Sequence, residues 1–238
     1  MQEETRTLDL ALVMPIYNEE ECIVDVVNSW LDVLNALEVD YRAILLNDGS
    51  TDETAKAVDT FAGNNRVEIV HKPNSGHGPT ILMGYRRAVQ IASWVFQTDS
   101  DGEMKAEYFP NLWRVREDYD ALFGTREGRD QGLARKVISA VSRLTVRVLF
   151  GTGVKDVNTA YRLIRAGVLE RIIKQIPDDT VAPNVIISGA MAKAGLRFFH
   201  YPIPFEFRKT GTVSIIRWKL CKLAIRAFFQ TLSCRPSM

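Results

Sequence analysis

This chain of 238 residues has few cysteines, no long apolar run and almost no net charge. Its three cysteines, Cys22, Cys221 and Cys234, are odd in number and widely spaced, which excludes a disulfide framework and indicates a reduced interior. No apolar run approaches the roughly 20 residues that a membrane-spanning helix needs. The first residues lack the basic stretch and apolar core of a secretory signal, so we expect no export and a cytoplasmic location.

The net charge of +1 is an average over two unlike regions. Residues 207–238 hold seven Lys or Arg and no acid. The other 23 basic residues stand against 29 acidic ones, which leaves residues 1–206 with a net charge of −6. This asymmetry predicts a basic tail that meets an anionic partner. The 46% hydrophobic and 25% charged residues are typical of a globular protein that buries a sizeable core.

Short apolar, β-rich runs alternate with longer helical patterns over the first half of the chain, which is typical of β-α-β units. We therefore expect an α/β fold with a mostly parallel, Rossmann-like central sheet flanked by helices. The predicted strands are Leu10–Met14, Ala43–Leu46, Val67–Val70, Trp94–Gln97 and Ala121–Phe123. The predicted helices are Glu19–Leu37, Asp52–Phe61, Thr80–Ala92 and Glu107–Val115, with Asn18 and Ser50 as N-caps of the first two.

The second half predicts a long amphipathic helix over Leu133–Phe150 and an extended stretch over Phe198–Phe207. A basic amphipathic helix is expected from about Val213. We divide the chain into a domain over residues 1–212 and this C-terminal helix over residues 213–238.

The most informative loop follows the fourth predicted strand and carries Asp99, Asp101 and Glu103. Two carboxylates one residue apart, with a third close by, predict a divalent cation that also holds substrate phosphates. An acidic turn is the plain alternative. An EF-hand fits less well, because its twelfth position is Pro110 rather than Glu.

Ligands of open α/β sheets bind outside the carboxyl ends of the strands, where three further loops lie. Asp48 follows the second strand, and helix capping does not explain an acid there, so we expect it to accept hydrogen bonds from a base or ribose. Tyr17 and Glu19 offer an aromatic face beside a carboxylate. The loop over 74–79 is flexible but has no dinucleotide fingerprint.

Three segments, Pro15-Ile-Tyr-Asn-Glu19, Asn47-Asp-Gly-Ser-Thr-Asp52 and Asp99-Ser-Asp101, stand in this order at strand ends. Together they resemble the motifs of inverting family-two glycosyltransferases of the GT-A fold. Within that family the chain, from about Leu8 to Arg217, is most similar to the dolichyl-phosphate mannosyltransferase-like, or polyprenyl-phosphate glycosyltransferase, branch.

The resemblance implies a UDP- or GDP-sugar as the donor and Mg²⁺ or Mn²⁺ as the cofactor. By that resemblance, Asp99, Asp101 and Glu103 would bind the metal. The donor would contact Pro15, Tyr17, Glu19, Asp48, Gly76, Asp99 and Ser100.

Later segments are similar to the acceptor side of the same branch. The resemblance implies that Arg126, Arg135, Ser139 and Arg162 would bind the phosphate of a lipid acceptor. Taken singly, each arginine has a plain alternative as a solvated or paired surface group. Asp101, Asp156 and Arg208 would be catalytic in an in-line, inverting attack on the anomeric carbon, with Arg208 assisting the departing diphosphate.

The nature of the acceptor decides the role of Asp156. A lipid phosphate is already ionised and can attack unaided, whereas a sugar hydroxyl needs a base, for which Asp156 is the candidate. A family-two enzyme acting on such a hydroxyl is therefore the alternative function. A nonenzymatic nucleotide or nucleic-acid binding module is a third, which leaves the strand-end acids unexplained, so we expect no nucleic acid.

The basic C-terminal helix has two interpretations. It would lie in the interface of an anionic membrane and make the protein peripheral at the cytoplasmic membrane face. Alternatively, it would pack on the core and leave its charges in water.

Overall fold

A computed structural model describes residues 7–127 and 159–204, together with positions 226, 227, 229–231, 233 and 234. Within this part of the chain, seven strands form one sheet. The strands are β1 (Leu8–Ile16), β2 (Tyr41–Asp48), β3 (Val67–Lys72), β4 (Ala92–Gln97), β5 (Ala121–Glu127), β6 (Arg162–Arg165) and β7 (Phe198–Pro204). The helices are α1 (Ile23–Ala36), α2 (Thr54–Asp59), α3 (His77–Ile91), α4 (Phe109–Val115), α5 (Ala166–Ile173) and α6 (Pro183–Lys193).

The strand order across the sheet is β3-β2-β1-β4-β6-β5-β7. Strands β3, β2, β1 and β4 are parallel neighbours, and β5 pairs with β7 in parallel. β6 is antiparallel to both β4 and β5. Strands β1 to β5 therefore all end at one edge of the sheet, which is the edge where ligands of open α/β sheets bind.

Both faces of the sheet are buried, because the apolar runs of the central strands send alternate side chains to opposite sides. Leu10, Leu12 and Met14 of β1 pack with Trp30 of α1 on one face. The other face carries α3 and its neighbours, and Ala11 and Val13 of β1 point into it. α3 comes very close to β1, because a Cβ on Gly84 would lie 2.4 Å from Val13 Cγ1.

An aromatic cluster fixes β4 from the α1 face. Phe96 of β4 lies between Trp30, Phe109 and Tyr161, with ring centroids 5.1, 4.8 and 4.7 Å away. These tilted and edge-on contacts are the arrangements that aromatic rings favour. They hold the strand that leads into the acidic loop.

The α/β class, the mostly parallel sheet and all five predicted strands are confirmed. The two cap predictions are wrong: α1 begins at Ile23 and α2 at Thr54, and neither has a side-chain cap. Asn18 and Ser50 instead bind each other's loops. β6 was not predicted as a strand, and the helix predicted over 133–150 lies outside the described residues. Of the helix predicted from 213, only positions 226, 227, 229–231, 233 and 234 are described, and all of these except 234 are helical.

Among the helices of the described part of the chain, none combines the length and the apolar character needed to cross a membrane. The division at residue 212 also falls outside that part, so it stays a prediction.

Candidate active site

The loops that follow β1 and β2 are joined to each other by hydrogen bonds. The Asn18 backbone N–H donates to Ser50 Oγ at 3.0 Å, and the Thr51 N–H donates to Asn18 Oδ1 at 2.8 Å. Asn18 adopts a left-handed φ of 53°, which Asn tolerates better than most residues. The Glu19 N–H donates to Thr54 Oγ1 at 2.8 Å. The loops over 17–21 and 49–53 are therefore joined, and we call this pair of loops the rim. Tyr17 in the rim is 37% exposed.

Asp48 lies beneath this rim as a buried anchor for the loop that follows β3. Its carboxylate is paired with the Lys72 ammonium, and the two side chains are only 6% and 10% exposed. It also accepts hydrogen bonds from the N–H groups of Ser75 at 2.8 Å and Gly76 at 2.9 Å. Asp48 is thus placed at the predicted donor side, but its described contacts are with this chain. A direct contact with a nucleoside stays a prediction.

Gly76 and Gly49 supply the backbone shape of this loop pair. Gly76 has a φ of +91°, a region that side chains rarely adopt. Gly49 has a φ of +66°, and a Cβ there would lie 2.7 Å from the Asn74 backbone nitrogen. The close approach of the two loops therefore requires glycine at position 49.

The acidic loop after β4 lines a small cavity at the same edge. Asp99, Asp101 and Glu103 surround it together with Thr98, Met104 and Ala160. Asp101 Oδ1 accepts a hydrogen bond from the Glu103 N–H at 3.0 Å, which holds the turn. Ser100 is 5% exposed, so its side chain faces into the protein. The three predicted metal-binding acids therefore meet in one place.

Cys22 links the acidic loop to the rim. Its Sγ atom lies 3.4 Å from Glu19 Oε2 and 3.7 Å from the Ser100 carbonyl oxygen. Pro15, the last residue but one of β1, pairs in register with Leu46 of β2. The predicted donor residues of β1 and β4 are thus neighbours in space.

His77, the first residue of α3, contacts the acidic loop from the other side. Its Nε2 lies 3.2 Å from Asp99 Oδ1, and the two side chains are 59% and 33% exposed. Desolvation lowers the pKa of His77, but the hydrogen bond and charge of Asp99, with the charges of Asp48 and Asp101, outweigh it and leave the pKa raised. The electrostatic field at this edge therefore favours a cation.

Asp99 and Asp101 fit a hard divalent cation, because carboxylate oxygens are the ligands that Mg²⁺ and Mn²⁺ prefer. Among the described residues, no three His, Cys, Asp or Glu side chains are arranged to hold a metal ion by themselves. A pair of carboxylates completed by substrate phosphates is the usual ligand set of such ions. The residue types at this loop are compatible with that set, and metal binding by Asp99, Asp101 and Glu103 stays a prediction.

The predicted acceptor residues are only partly within the described chain. Arg126 lies in β5 opposite Ile203 of β7. Arg162 is fully buried, where its Nε and Nη2 donate to the Thr159 carbonyl oxygen at 2.9 and 2.6 Å. These contacts brace the turn before β6, and binding of an acceptor phosphate by Arg162 stays a prediction. Arg135, Ser139, Asp156 and Arg208 lie outside the described residues.

A separate cleft of about 1060 Å³ runs beside α3. Gly76 and His77 line one part of it, and Met83, Arg86 and Val181 line another. Asp99 and Asp101 do not line it. We therefore assign the candidate site from the position of the Asp99 and Asp101 carboxylates, and not from the size of this cleft.

Sequence reasoning missed Lys72 and Cys22 as site residues. Lys72 ends β3, so its position at the ligand edge was available from the predicted strands. Its pairing with Asp48 depends on the parallel register that places the two residues opposite each other. Cys22 gave no signal, because a single cysteine has no spacing to interpret.

A mostly parallel sheet whose strand ends carry these acidic and polar loops is the arrangement expected of the GT-A fold. The model of the family described as "Glycosyl transferase family 2" matches residues 11–173. The chain belongs to this family, and it is a glycosyltransferase that depends on a nucleotide-sugar. The family predicted from the three motifs is thereby confirmed.

Three relatives illustrate the similarity. An uncharacterised glycosyltransferase of Synechocystis is 29% identical over 233 residues, which are 94% of this chain and 69% of that protein. An undecaprenyl-phosphate 4-deoxy-4-formamido-L-arabinose transferase of Proteus mirabilis is 26% identical, over 77% of this chain and 56% of that protein. An undecaprenyl-phosphate mannosyltransferase of Micrococcus luteus is 26% identical, over 87% and 93%. The chain thus spans only about half to two thirds of the first two proteins.

Solved structures confirm the fold. Glucosyl-3-phosphoglycerate synthase of Mycobacterium tuberculosis, in complex with Mn²⁺, UDP and glucosyl-3-phosphoglycerate, has a TM-score of 0.70 and 16% identity. The similarity covers 97% of this chain and 81% of that one. Its complex with phosphoglyceric acid gives the same values.

Proposed function

We propose that this chain transfers a sugar, with inversion, from a UDP- or GDP-sugar to a polyprenyl phosphate. The observation that carries the proposal is the meeting of the acidic loop with the rim, where Cys22 contacts both Glu19 and the Ser100 carbonyl. Asp99 and Asp101 flank Ser100 in the acidic loop, and Tyr17, 37% exposed, lies two residues before Glu19. A nucleoside diphosphate has an aromatic base at one end and phosphates at the other, which matches this arrangement.

The carboxylates Asp99 and Asp101 would hold Mg²⁺ or Mn²⁺ against the donor diphosphate. When bound, such an ion neutralises the charge that develops on the departing diphosphate. His77, hydrogen-bonded to Asp99, orients that carboxylate. Asp48 and Lys72 keep the loop over 73–76 in place beneath the donor, and Arg208 assists departure of the diphosphate. The Mn²⁺ and UDP bound by the mycobacterial synthase support this assignment.

A lipid phosphate is the acceptor that we favour. Two of the relatives named above are undecaprenyl-phosphate sugar transferases. Because a phosphate monoester carries negative charge at neutral pH, it attacks the anomeric carbon without a base. Arg126, Arg135, Ser139 and Arg162 would bind the phosphate, and Asp156 would orient it.

An acceptor assay with the full chain tests the proposal. Purified protein, Mn²⁺ and a panel of labelled UDP- and GDP-sugars are mixed with undecaprenyl phosphate, with undecaprenol or with free sugars. We expect transfer to the lipid phosphate and none to the free alcohol, because the alcohol lacks the attacking phosphate oxygen. The anomeric configuration of the product then reports inversion.

The outcome that contradicts the lipid phosphate is transfer to a sugar hydroxyl with the undecaprenyl phosphate left unused. In that case Asp156→Asn abolishes activity, because a hydroxyl needs a base. With a lipid phosphate, Asp156→Asn keeps measurable activity. Transfer to neither acceptor class with any donor contradicts the glycosyl-transfer proposal as a whole.

The basic tail would bring the site to the membrane that holds such an acceptor. Each surface Lys or Arg contributes on the order of 1 kcal/mol of attraction to an anionic bilayer. We expect the full chain to sediment with vesicles that contain phosphatidylglycerol and not with neutral vesicles. Lys219→Gln combined with Lys222→Gln should weaken this binding, and unchanged binding would contradict a membrane role for the tail.

A further inference from the structure

Three buried polar side chains form a cluster directly behind the acidic loop. Tyr85 of α3, Gln97 of β4 and Asn184 of α6 are 0%, 0% and 9% exposed. Gln97 Oε1 accepts hydrogen bonds from the Tyr85 hydroxyl at 2.6 Å and from Asn184 Nδ2 at 2.8 Å. The Tyr85 hydroxyl also lies 3.0 Å from Asn184 Oδ1. We call these three residues the Gln97 cluster.

The Gln97 cluster is not the simplest way to fill this part of the core. Many of the side chains on the same face are apolar, among them Val13, Ile81 and Ile187. Buried polar groups cost free energy unless every partner is satisfied, and Gln97 Nε2 makes no hydrogen bond to the described residues. Apolar side chains of the same size would avoid this cost. Hydrogen bonds depend on direction more than apolar packing does, so they fix the positions of α3, β4 and α6 relative to one another.

One of these elements leads directly to the carboxylates. Gln97 is the last residue of β4, two positions before Asp99. The Thr98 N–H between them donates to the Val13 carbonyl oxygen at 3.2 Å, so the backbone is held up to the loop. α3, which carries Tyr85, also carries His77, whose ring contacts Asp99. The Gln97 cluster thus joins β4, which leads to Asp99, and α3, which begins with the Asp99 partner His77.

The same cluster is connected through Arg162 to a second segment that lines the small cavity. Gln97 pairs with Arg162 across the antiparallel β4 and β6, so their side chains share a face. Arg162 Nη1 donates to the Asn184 carbonyl oxygen at 3.3 Å, and Arg162 also binds the Thr159 carbonyl. Ala160, the residue after Thr159, lines the cavity together with the acids. The Gln97 cluster is therefore connected to the cavity lining through β4 and through Arg162.

We propose that Tyr85, Gln97 and Asn184 are positioning residues that set the Asp99 and Asp101 carboxylates for a divalent cation and a nucleoside diphosphate. The inference rests on the proposed function of the acidic loop. It assigns the cluster a role in cation affinity, beyond the stability that any buried hydrogen bond provides.

Tyr85→Phe, with Tyr41→Phe as its matched control, tests the inference. Tyr41 is 1% exposed, and its hydroxyl donates to Asn35 Oδ1 at 3.0 Å, but it lies at the start of β2, at the edge away from the acids. Both variants lose one buried hydroxyl and keep the ring. Free Mn²⁺ is measured by electron paramagnetic resonance with the full chain and either UDP or GDP, whichever binds more tightly.

We expect Tyr85→Phe to weaken Mn²⁺ binding by about three- to tenfold, the range of one lost hydrogen bond, and Tyr41→Phe to leave it unchanged. Nucleotide binding without metal should be equal in all three proteins. Equal Mn²⁺ affinity in wild type and Tyr85→Phe overturns the inference, as does an equal loss in both variants. A wild type that binds no Mn²⁺ with either nucleotide overturns the proposed function, and the inference with it.

A swap of side-chain lengths supplies a second test that does not depend on tyrosine. Gln97→Asn and Asn184→Gln each displace the shared hydrogen bond by one methylene, and the double variant restores the combined length. Recovery of Mn²⁺ affinity in the double variant supports the inference. Single variants that bind Mn²⁺ as tightly as the wild type overturn it.

Discussion

Lys72 and Asp48 form a buried ion pair under the loop that follows β3, with side chains 10% and 6% exposed. The pair connects the ends of two neighbouring strands. Lys72 Nζ also contacts the Pro73 carbonyl oxygen, Ser75 Oγ and Thr80 Oγ1. One ammonium group therefore organises the loop and the first turn of α3 together.

Lys72→Met should destabilise the protein by about 3 to 5 kcal/mol, because it leaves the Asp48 charge buried without its cation. Chemical denaturation measures the free energy of unfolding. The control is Lys56→Met, since Lys56 pairs with Glu53 on the surface and both side chains are largely exposed. We expect little change in the control, and an equally small loss in Lys72→Met would show that the pair does not hold the loop.

Asp99→Asn and Asp101→Asn should each reduce metal-dependent sugar transfer by at least about 100-fold, because charge stabilisation at the diphosphate is lost. Circular dichroism should show an unchanged fold, since these acids lie in the loop after β4 and not in the apolar core. Asp118→Asn removes an exposed carboxylate elsewhere and serves as the control. Full activity of either site variant with Mn²⁺ would rule out the carboxylate pair as the metal site.

Gly78→Ala should destabilise the protein by about 1 to 3 kcal/mol through overpacking. A Cβ at this position would lie 2.3 Å from the carbonyl oxygens of both Thr180 and Val181, which are backbone atoms. Gly63→Ala is the matched control, because no atom lies within 4 Å of its Cβ. Thermal denaturation of the two variants makes the comparison, and equal melting temperatures would contradict the close packing of α3 on this segment.

Stability should fall at alkaline pH because Tyr85 and Tyr161, like Tyr41, are buried. Burial is the main cause that raises the pKa of both Tyr85 and Tyr161. Below a pH of about 10 these phenols are neutral in the folded and the unfolded chain. Above it they ionise only on unfolding, so each costs up to about 1.4 kcal/mol per pH unit until its folded-state pKa is reached.

Unfolding free energies measured from about pH 8 to about pH 11 check this expectation. Tyr85→Phe should show a shallower loss than the wild type, because it removes one of the buried phenols that ionise on unfolding. Tyr17→Phe, at a residue 37% exposed, should follow the wild type. Parallel curves for Tyr85→Phe and wild type would contradict the buried phenol.

Much of the donor side could be predicted because it depends on local sequence. The apolar runs of β1 to β4 are long enough to identify, and parallel strands bring their carboxyl ends to one edge, so Tyr17, Asp48 and Asp99 had to lie near each other. The roles of Asn18 and Ser50 were misjudged for a physical reason. Their side chains can cap a helix or bind a neighbouring loop, and the pairing of β1 with β2 made the second option available.

The predicted acceptor side was harder to derive from the sequence. β6 is only four residues long and has an arginine at each end, so its pattern does not resemble a buried strand. Burial of Arg162 depends on carbonyl groups of Thr159 and Asn184 that only the folded chain brings together. No periodicity in the sequence contains that information.

The reversed direction of β6 has a consequence for how proteins of this design diverge. β5 ends at the same edge as the donor loops, and the antiparallel β6 begins there, so the chain between them leaves and returns at one place. An insertion or replacement in the segment between β5 and β6 should therefore leave the pairing among β1, β2, β3 and β4 intact. Under the proposed function, Arg135, Ser139 and Asp156 belong to this segment, so a change of acceptor preference can arise there without a change in the strands that precede the predicted donor loops.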